Sequence, residues 1–293
     1  MHWLLKLTVC FVLSVTIVSS AVAKNDDVVV YGGTSAGVVA AVQVSRMGKS
    51  VVLIEPSRHI GGLTSGGLGM TDTGNRAVIG GVSREFYQRI RKHYENDDAW
   101  TVEKREDFPF FHKSEEALWR FEPKVAEKVY REMLEEANVE VILGERLDLR
   151  DGVGVRKEGL EIREIVMESG KTFTGKRFID ATYEGDLMAM TGVSYHVGRE
   201  SNATYGETLN GVQTRNARYH QFASKVDPYL VPGDPSSGLL PGIHADGPGK
   251  EGAGDKRIQA YCFRLCMTDA PENRVSFPKP VDYDPLRYEL YAR

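Results

Sequence analysis

The stretch from Asp27 to Glu55 constrains this chain more than any other. Asp27 to Tyr31 reads Asp-Val-Val-Val-Tyr, a short, largely apolar run ending on two glycines, as expected of a buried parallel strand. Ala36 to Met47 then places Val38, Val39, Ala41, Val42 and Val44 at helix-compatible spacing, and Gly48 follows as a stop. Ser50 to Glu55 is a second apolar run. Strand, glycine turn, helix and strand within about 30 residues make one βαβ unit. The chain is therefore expected to be an α/β protein.

The turn inside that unit carries chemistry. Gly32-Gly33-Thr34-Ser35-Ala36-Gly37 follows a strand and opens a helix, where backbone N–H groups face a pyrophosphate and side chains must not block its approach. Aligned on Gly37, the pattern is Gly32-x-Thr34-x-x-Gly37, so Thr34 stands where the dinucleotide fingerprint has its middle glycine. Glu55 ends the second strand, 18 residues after Gly37, where a carboxylate accepts hydrogen bonds from ribose hydroxyls and repels a 2′-phosphate. Alone, Glu55 reads as an exposed strand-end charge; combined with the loop, it reads as the ribose ligand. Pro56 and Ser57 follow, and then Gly61-Gly62-Leu63-Thr64-Ser65-Gly66-Gly67 gives a second backbone loop beyond the ribose site. Such a loop can reach the pyrophosphate and flavin side, which favours FAD over NAD. A covalent flavin link through His59 is the weaker reading of that residue. Further on, Arg177 to Thr182 reads as a strand running into an Ala181-Thr182 turn, with Asp186 as a capping residue for a helix over Leu187 to Met190.

Elsewhere, Phe121 to Asn138 reads as an amphipathic helix and Val139 to Leu143 as a strand. Glu161 to Met167 and Thr172 to Ile179 read as strands joined by Ser169-Gly170-Lys171. Pro228 to Lys256 is crowded with Pro and Gly, without periodicity, and is expected to be a long surface excursion. Ile258 to Met267 resumes an ordered pattern, and Asp284-Pro285 starts a helix running to Arg293.

The balance of 37 Lys and Arg against 41 Asp and Glu, a net charge of −4, gives no reason to expect nucleic acid or an anionic membrane as partner. Lys6, the apolar run Leu7 to Val18 and the small residues Ala21 and Ala23 have the layout of a cleavable secretory signal, with cutting before Lys24. The run is shorter than the roughly 20 residues of a spanning helix. An exported protein, free of the membrane after cleavage, is expected. Its mature part keeps Cys262 and Cys266, read as two buried small hydrophobes. They cannot by themselves hold an iron–sulfur cluster, and no metal site is expected.

Val28 to Gly37, Glu55 to Asn75 and Phe178 to Glu200 resemble the FAD-dependent oxidoreductase family of the glutathione-reductase-like two-nucleotide-fold flavoproteins, more distantly the heterodisulfide-reductase A-like ones. Val231 to Gly238 and Tyr261 to Pro278 share the likeness. The resemblance implies a Rossmann-type FAD-binding fold with a ββα/β-meander insertion. By it, Gly32 to Gly37 and Gly61 to Gly67 would hold the pyrophosphate, Glu55 the ribose, and Ala181-Thr182 the neighbourhood of the flavin. The expected organisation is a signal over residues 1–23, an FAD domain over 24–192 and a partial substrate or cap region over 193–293. Relatives are usually longer, and their C-terminal glycine segment beside the flavin has no counterpart here. The iron–sulfur cysteines of the distant relatives are also missing.

The implied activity is flavin-mediated hydride or electron transfer on a small organic or carbohydrate-derived substrate, with an unidentified electron acceptor. No catalytic residue is legible. His196, Arg199, His220, His244 and Arg264 are possible anion or hydroxyl ligands, each with a plain surface or packing role as the stronger reading. The rivals are a non-catalytic nucleotide-binding remnant and, less consistent with the opening βαβ unit, a polysaccharide lyase. Oligomeric state leaves no mark in the sequence.

Overall fold

A computed structural model describes residues 25–219, 221–258 and 264–293. Asn25–Tyr31 forms β1, Ser35–Arg46 α1 and Val51–Glu55 β2, the expected βαβ unit. Two strands buried on both faces and a helix packed over one of them account for its continuous valine runs. Gly81–Tyr94 forms α2 and Pro123–Glu136 α3, the latter with proline in its first turn, where no N–H is missed. Glu140–Leu143 is β3, Val155–Glu158 β4, Glu161–Val166 β5 and Thr172–Asp180 β6.

The strands make one six-stranded sheet in the order β3-β2-β1-β6-β5-β4. β3, β2, β1 and β6 are parallel, whereas β4, β5 and the start of β6 form an antiparallel meander. β6 serves both halves: Thr172–Thr174 pairs with β5, while Thr174–Asp180 pairs with β1. One face of the sheet is covered by α1, α2 and α3 through Val38, Val42, Phe86, Ile90, Val129 and Met133. On the other, Val29, Tyr31, Val52 and Ile54 pack with Leu147, Ile165, Met167 and Leu187. Beyond β6 come Asp186–Met190 (α4), Asn202–Tyr205 (α5) and Leu286–Ala292 (α6), the last capped where expected by Asp284, which accepts from the Leu286 N–H at 3.0 Å.

Several expectations need correction. α2 has no counterpart in the sequence reading. Asp186 is the first residue of α4 rather than its cap; the Asp180 carboxylate at the end of β6 accepts from the Met188 N–H at 2.9 Å instead. Of Ile258 to Met267, the described residues Ile258 and Arg264–Met267 form neither helix nor strand. Cys266 is exposed, not buried, since the segment lies at the surface with only its inner side against Gly67. Cys262, His220, Tyr261 and the proposed signal over 1–23 lie outside the described residues. The Pro228–Lys256 excursion is as expected: it holds one short 3-10 turn, Pro235–Ser237, and is mostly exposed.

Asp27 ties β1 to its two neighbours. Its carboxylate meets the Lys176 ammonium of β6 at 2.7 Å and accepts from the Ser50 N–H before β2 at 3.1 Å. The Lys176 hydrogen bond, with the Ser50 N–H, holds the Asp27 carboxyl at about 2. A pKa depressed on folding contributes stability that is complete above the unfolded value of about 4 and is lost as pH falls from there toward the folded one. Asp27→Asn is therefore expected to flatten part of the acid limb of the stability curve. Urea midpoints at pH about 5 and about 3 test this, and parallel losses in variant and wild type would refute it.

Candidate nucleotide site

The three loops singled out by the sequence meet at the C-terminal ends of β1, β2 and β6. In an open α/β sheet this is where ligands bind. Gly32 has φ of +102°, and a β-carbon there would stand 2.8 Å from the Ala181 carbonyl carbon and the Thr182 nitrogen. A β-carbon on Gly37 would fall on the Gly32 carbonyl oxygen. Both positions need glycine because the turn, the helix and β6 approach backbone to backbone. The Gly61 N–H donates to the Gly33 carbonyl at 2.7 Å, and Thr34 and Gly61 form a parallel bridge, so the second glycine loop lies against the first.

Thr34 has a role that the fingerprint's glycine could not play. Its hydroxyl donates to the Ala181 carbonyl at 2.7 Å and accepts from the Gly37 N–H at 3.3 Å, capping α1 and fastening it to β6. Its backbone is extended, so no glycine is required there. Thr34→Ala removes a cap and strands the Ala181 carbonyl, at an expected cost of about 2 kcal/mol. Thr34→Ser should recover most of that loss, while Thr34→Gly, which restores the sequence fingerprint, should not. Denaturant unfolding of the three variants decides between these outcomes.

Glu55 reaches into the same mouth. One carboxylate oxygen accepts from the Gly33 N–H at 2.6 Å and the other from the Ser57 N–H at 2.8 Å. An ionised carboxylate offers about four acceptor positions, so two remain for ribose hydroxyls. The opening turn of α1 presents the N–H groups of Ser35, half-buried, and Ala36, exposed, as a helix start does for an anion. The bare glycine backbone, the helix start and the placed carboxylate fit the ADP half of FAD.

The second loop is held from three sides. Tyr130 is buried in α3 with its ring against Gly61, and burial pushes its phenol above the usual tyrosine range. His59 places Nδ1 2.9 Å from the Glu127 carboxylate of α3 and Nε2 3.0 Å from the Ser65 hydroxyl. Both ring nitrogens thus have protein partners, and Ser65 also donates to the Ile60 carbonyl. Tyr183, just past the Ala181-Thr182 turn, accepts from the Leu63 N–H at 2.8 Å through its hydroxyl. It bridges β6 to the loop across Gly62, while Leu63 and Tyr183 leave apolar surface at the rim. Gly66 belongs to the second loop, and Pro56 links Glu55 to Ser57. Glu127, Tyr130 and Tyr183 were not singled out from sequence. Only their neighbours mark them, and these are 68, 69 and 120 residues away in the cases of His59, Gly61 and Leu63.

The candidate substrate ligands do not converge. Arg199 is committed to Asp255 by a two-pronged side-chain pair and a backbone bridge. His196, His244 and Arg264 are exposed, with the Arg264 backbone resting on Gly67. A cavity of about 1280 Å³ shares no lining residue with the first glycine loop or Glu55; it opens beyond the second loop, beside Gly69 and Met70.

Among solved structures, the chain is similar to an L-proline dehydrogenase from P. horikoshii (17% identity, TM-score 0.40, 61% of this chain and 59% of that one). It is also similar to an L-amino acid deaminase from Proteus vulgaris (18% identity, TM-score 0.37, 61% and 58%). The chain thus spans less than two thirds of either protein. None of the curated proteins compared with it matches. The family model described as FAD dependent oxidoreductase matches residues 27–293, from the third residue of β1 onward through α6, and the chain belongs to that family.

Proposed function

We propose that this chain binds FAD across the mouth formed by Gly32–Gly37, Glu55, Gly61–Gly66 and Ala181-Thr182, and that it serves an exported oxidoreductase. The substrate would be a small organic or carbohydrate-derived molecule, and electrons would pass on to a separate acceptor. The supporting observation is the convergence of four segments, distant in sequence, on one helix start. Bound FAD supplies the hydride or electron transfer at its own ring. The chain's residues would do the holding. The N–H groups of Ser35 and Ala36 would face the pyrophosphate and Glu55 the ribose, while Thr34 and Tyr183 keep β6 and the second loop in register.

Expression of the chain from Lys24, followed by release and identification of the bound cofactor, tests this reading. One FAD per chain is expected. A folded chain that takes up no FAD would leave only a nucleotide-binding remnant. Export is tested separately by expressing the full sequence in a bacterial host. A mature N-terminus at Lys24 in the periplasm or medium is expected, and retention of Met1 in the cytoplasm would refute it. Among the described residues, no helix is long and apolar enough to cross a membrane.

A further inference from the structure

We propose that the cavity beside Gly69 and Met70 binds a carboxylate carried on a ring, gripped by Arg120. The chain lays Trp119–Phe121 along Gly69–Thr71: Met70 and Arg120 form an antiparallel bridge, the Phe121 N–H donates to the Gly69 carbonyl at 3.0 Å, and the Thr71 N–H to that of Trp119 at 3.2 Å. Trp119 and Phe121 are buried. Arg120, half-buried between them, lines the cavity together with Phe121.

Six arginines lie between Met70 and Lys124. Arg76, Arg84, Arg89, Arg91 and Arg105 each pair with a glutamate or aspartate. Arg120 pairs with no carboxylate of the described residues; its guanidinium lies on the Phe110 ring, 3.2 Å from the centroid. Lys124, in the same wall, is taken by Glu122 at 3.0 Å. Lys104 also lines the cavity without an ion pair among the described residues, but it is exposed, whereas Arg120 is half-buried and fixed in orientation by stacking, with its planar fork of donors available to a carboxylate.

The surroundings specify the rest of the ligand. Tyr94, Trp100, Phe108 and Phe110 line the same cavity, so its wall is rich in aromatic surface. Glu103, Asp107 and Asp269 also line the cavity, exposed and beyond ion-pair distance of Arg120. They would repel a dianionic phosphate more than a singly charged carboxylate, which favours the latter. At about 1280 Å³ the space exceeds the roughly 300–1000 Å³ of common ligand sites, so a ring compound enters with water around it.

Calling that ligand a substrate rests on the flavoprotein reading, but its binding does not. The test uses the full chain and two ring carboxylates, benzoate and glucuronate, against their neutral counterparts benzamide and glucose, by calorimetry or ligand-observed NMR. One of the two carboxylates is expected to bind at least about tenfold more tightly than its neutral counterpart, which tells whether the ring is aromatic or a sugar. Arg120→Gln should weaken it by about 10- to 100-fold, without changing FAD content, and Arg120→Lys, which keeps the charge but loses the fork, should fall between. Should the glutamine variant unfold, the lysine variant carries the test alone. No binding of either carboxylate, equal binding of the neutral compounds, or wild-type affinity in both variants would overturn the proposal. Carboxylate binding by a chain that takes up no FAD would sink the cofactor reading and leave this site standing.

Discussion

Gly37→Ala is expected to be the most damaging single-methyl change in this chain. The added carbon would coincide with the Gly32 carbonyl oxygen and would also press on the Ala181 side chain, 3.2 Å away. Backbone has no rotamer with which to yield, so β1, the start of α1 and the β6 turn must separate. Overpacking of a tight interior costs about 1–3 kcal/mol, occasionally more, and this position belongs at or above the upper end. The same separation would pull the Ser35 and Ala36 N–H groups away from the second loop and abolish retention of FAD. Gly48→Ala is the control. That glycine has φ of +73° and nothing within 4 Å of an added β-carbon, so it should cost only the left-handed backbone strain of about 1–2 kcal/mol and leave FAD binding intact. Urea unfolding with cofactor content measured on the same samples checks both halves. Equal damage at the two sites would mean that the crowding against Gly32 is relieved without opening the turn.

Glu55→Lys carries the largest expected effect on the cofactor. The carboxylate holds the Gly33 and Ser57 N–H groups, so reversal both repels those donors and removes the acceptor proposed for the ribose. Charge-assisted hydrogen bonds contribute about 1.5–3 kcal/mol each, so losing two ribose contacts predicts at least about 100-fold weaker FAD binding. Glu55→Gln separates the two roles. Its carbonyl oxygen can still accept from one N–H, so the loops should stay largely in place while affinity falls by an intermediate amount. Fluorescence titration of the apoprotein with FAD measures all three. Unaltered affinity in the lysine variant would show that the ADP group lies elsewhere.

The parts of this protein that were legible in advance are those whose signals are local. The β1-α1-β2 unit announces itself within 31 residues, from Asn25 to Glu55, through apolar runs, a glycine turn and a stop at Gly48. α3 was legible from its apolar stripe. α2 was not, although Phe86, Ile90 and Tyr94 recur every fourth residue on its buried side. It opens on Gly80-Gly81 with no capping side chain, so its start looks like a continuation of the glycine-rich loop before it. Asp186 was taken for a cap because it precedes an apolar turn, but Asp180 had already reached that helix from the strand end. Arg120 escaped notice because its distinguishing property is the lack of a carboxylate, which only the paired arginines around it reveal. Thr34 looked like a blemish in a motif. Its value appears only when residue 181 comes within reach.

The position of β6 fixes an order of events. Of the described strands of this sheet it is the latest in sequence to leave the ribosome, yet it lies next to the earliest, in the interior of the sheet. Until residue 180 has emerged, β1 presents an unpaired edge along its whole length, the sort of edge to which a stray strand adds. The contact from Thr34 to Ala181 closes a loop of 147 residues, a slow step by its topology. A chain truncated before β6 should therefore aggregate rather than yield a smaller soluble domain, and flavin uptake should be among the last steps of maturation.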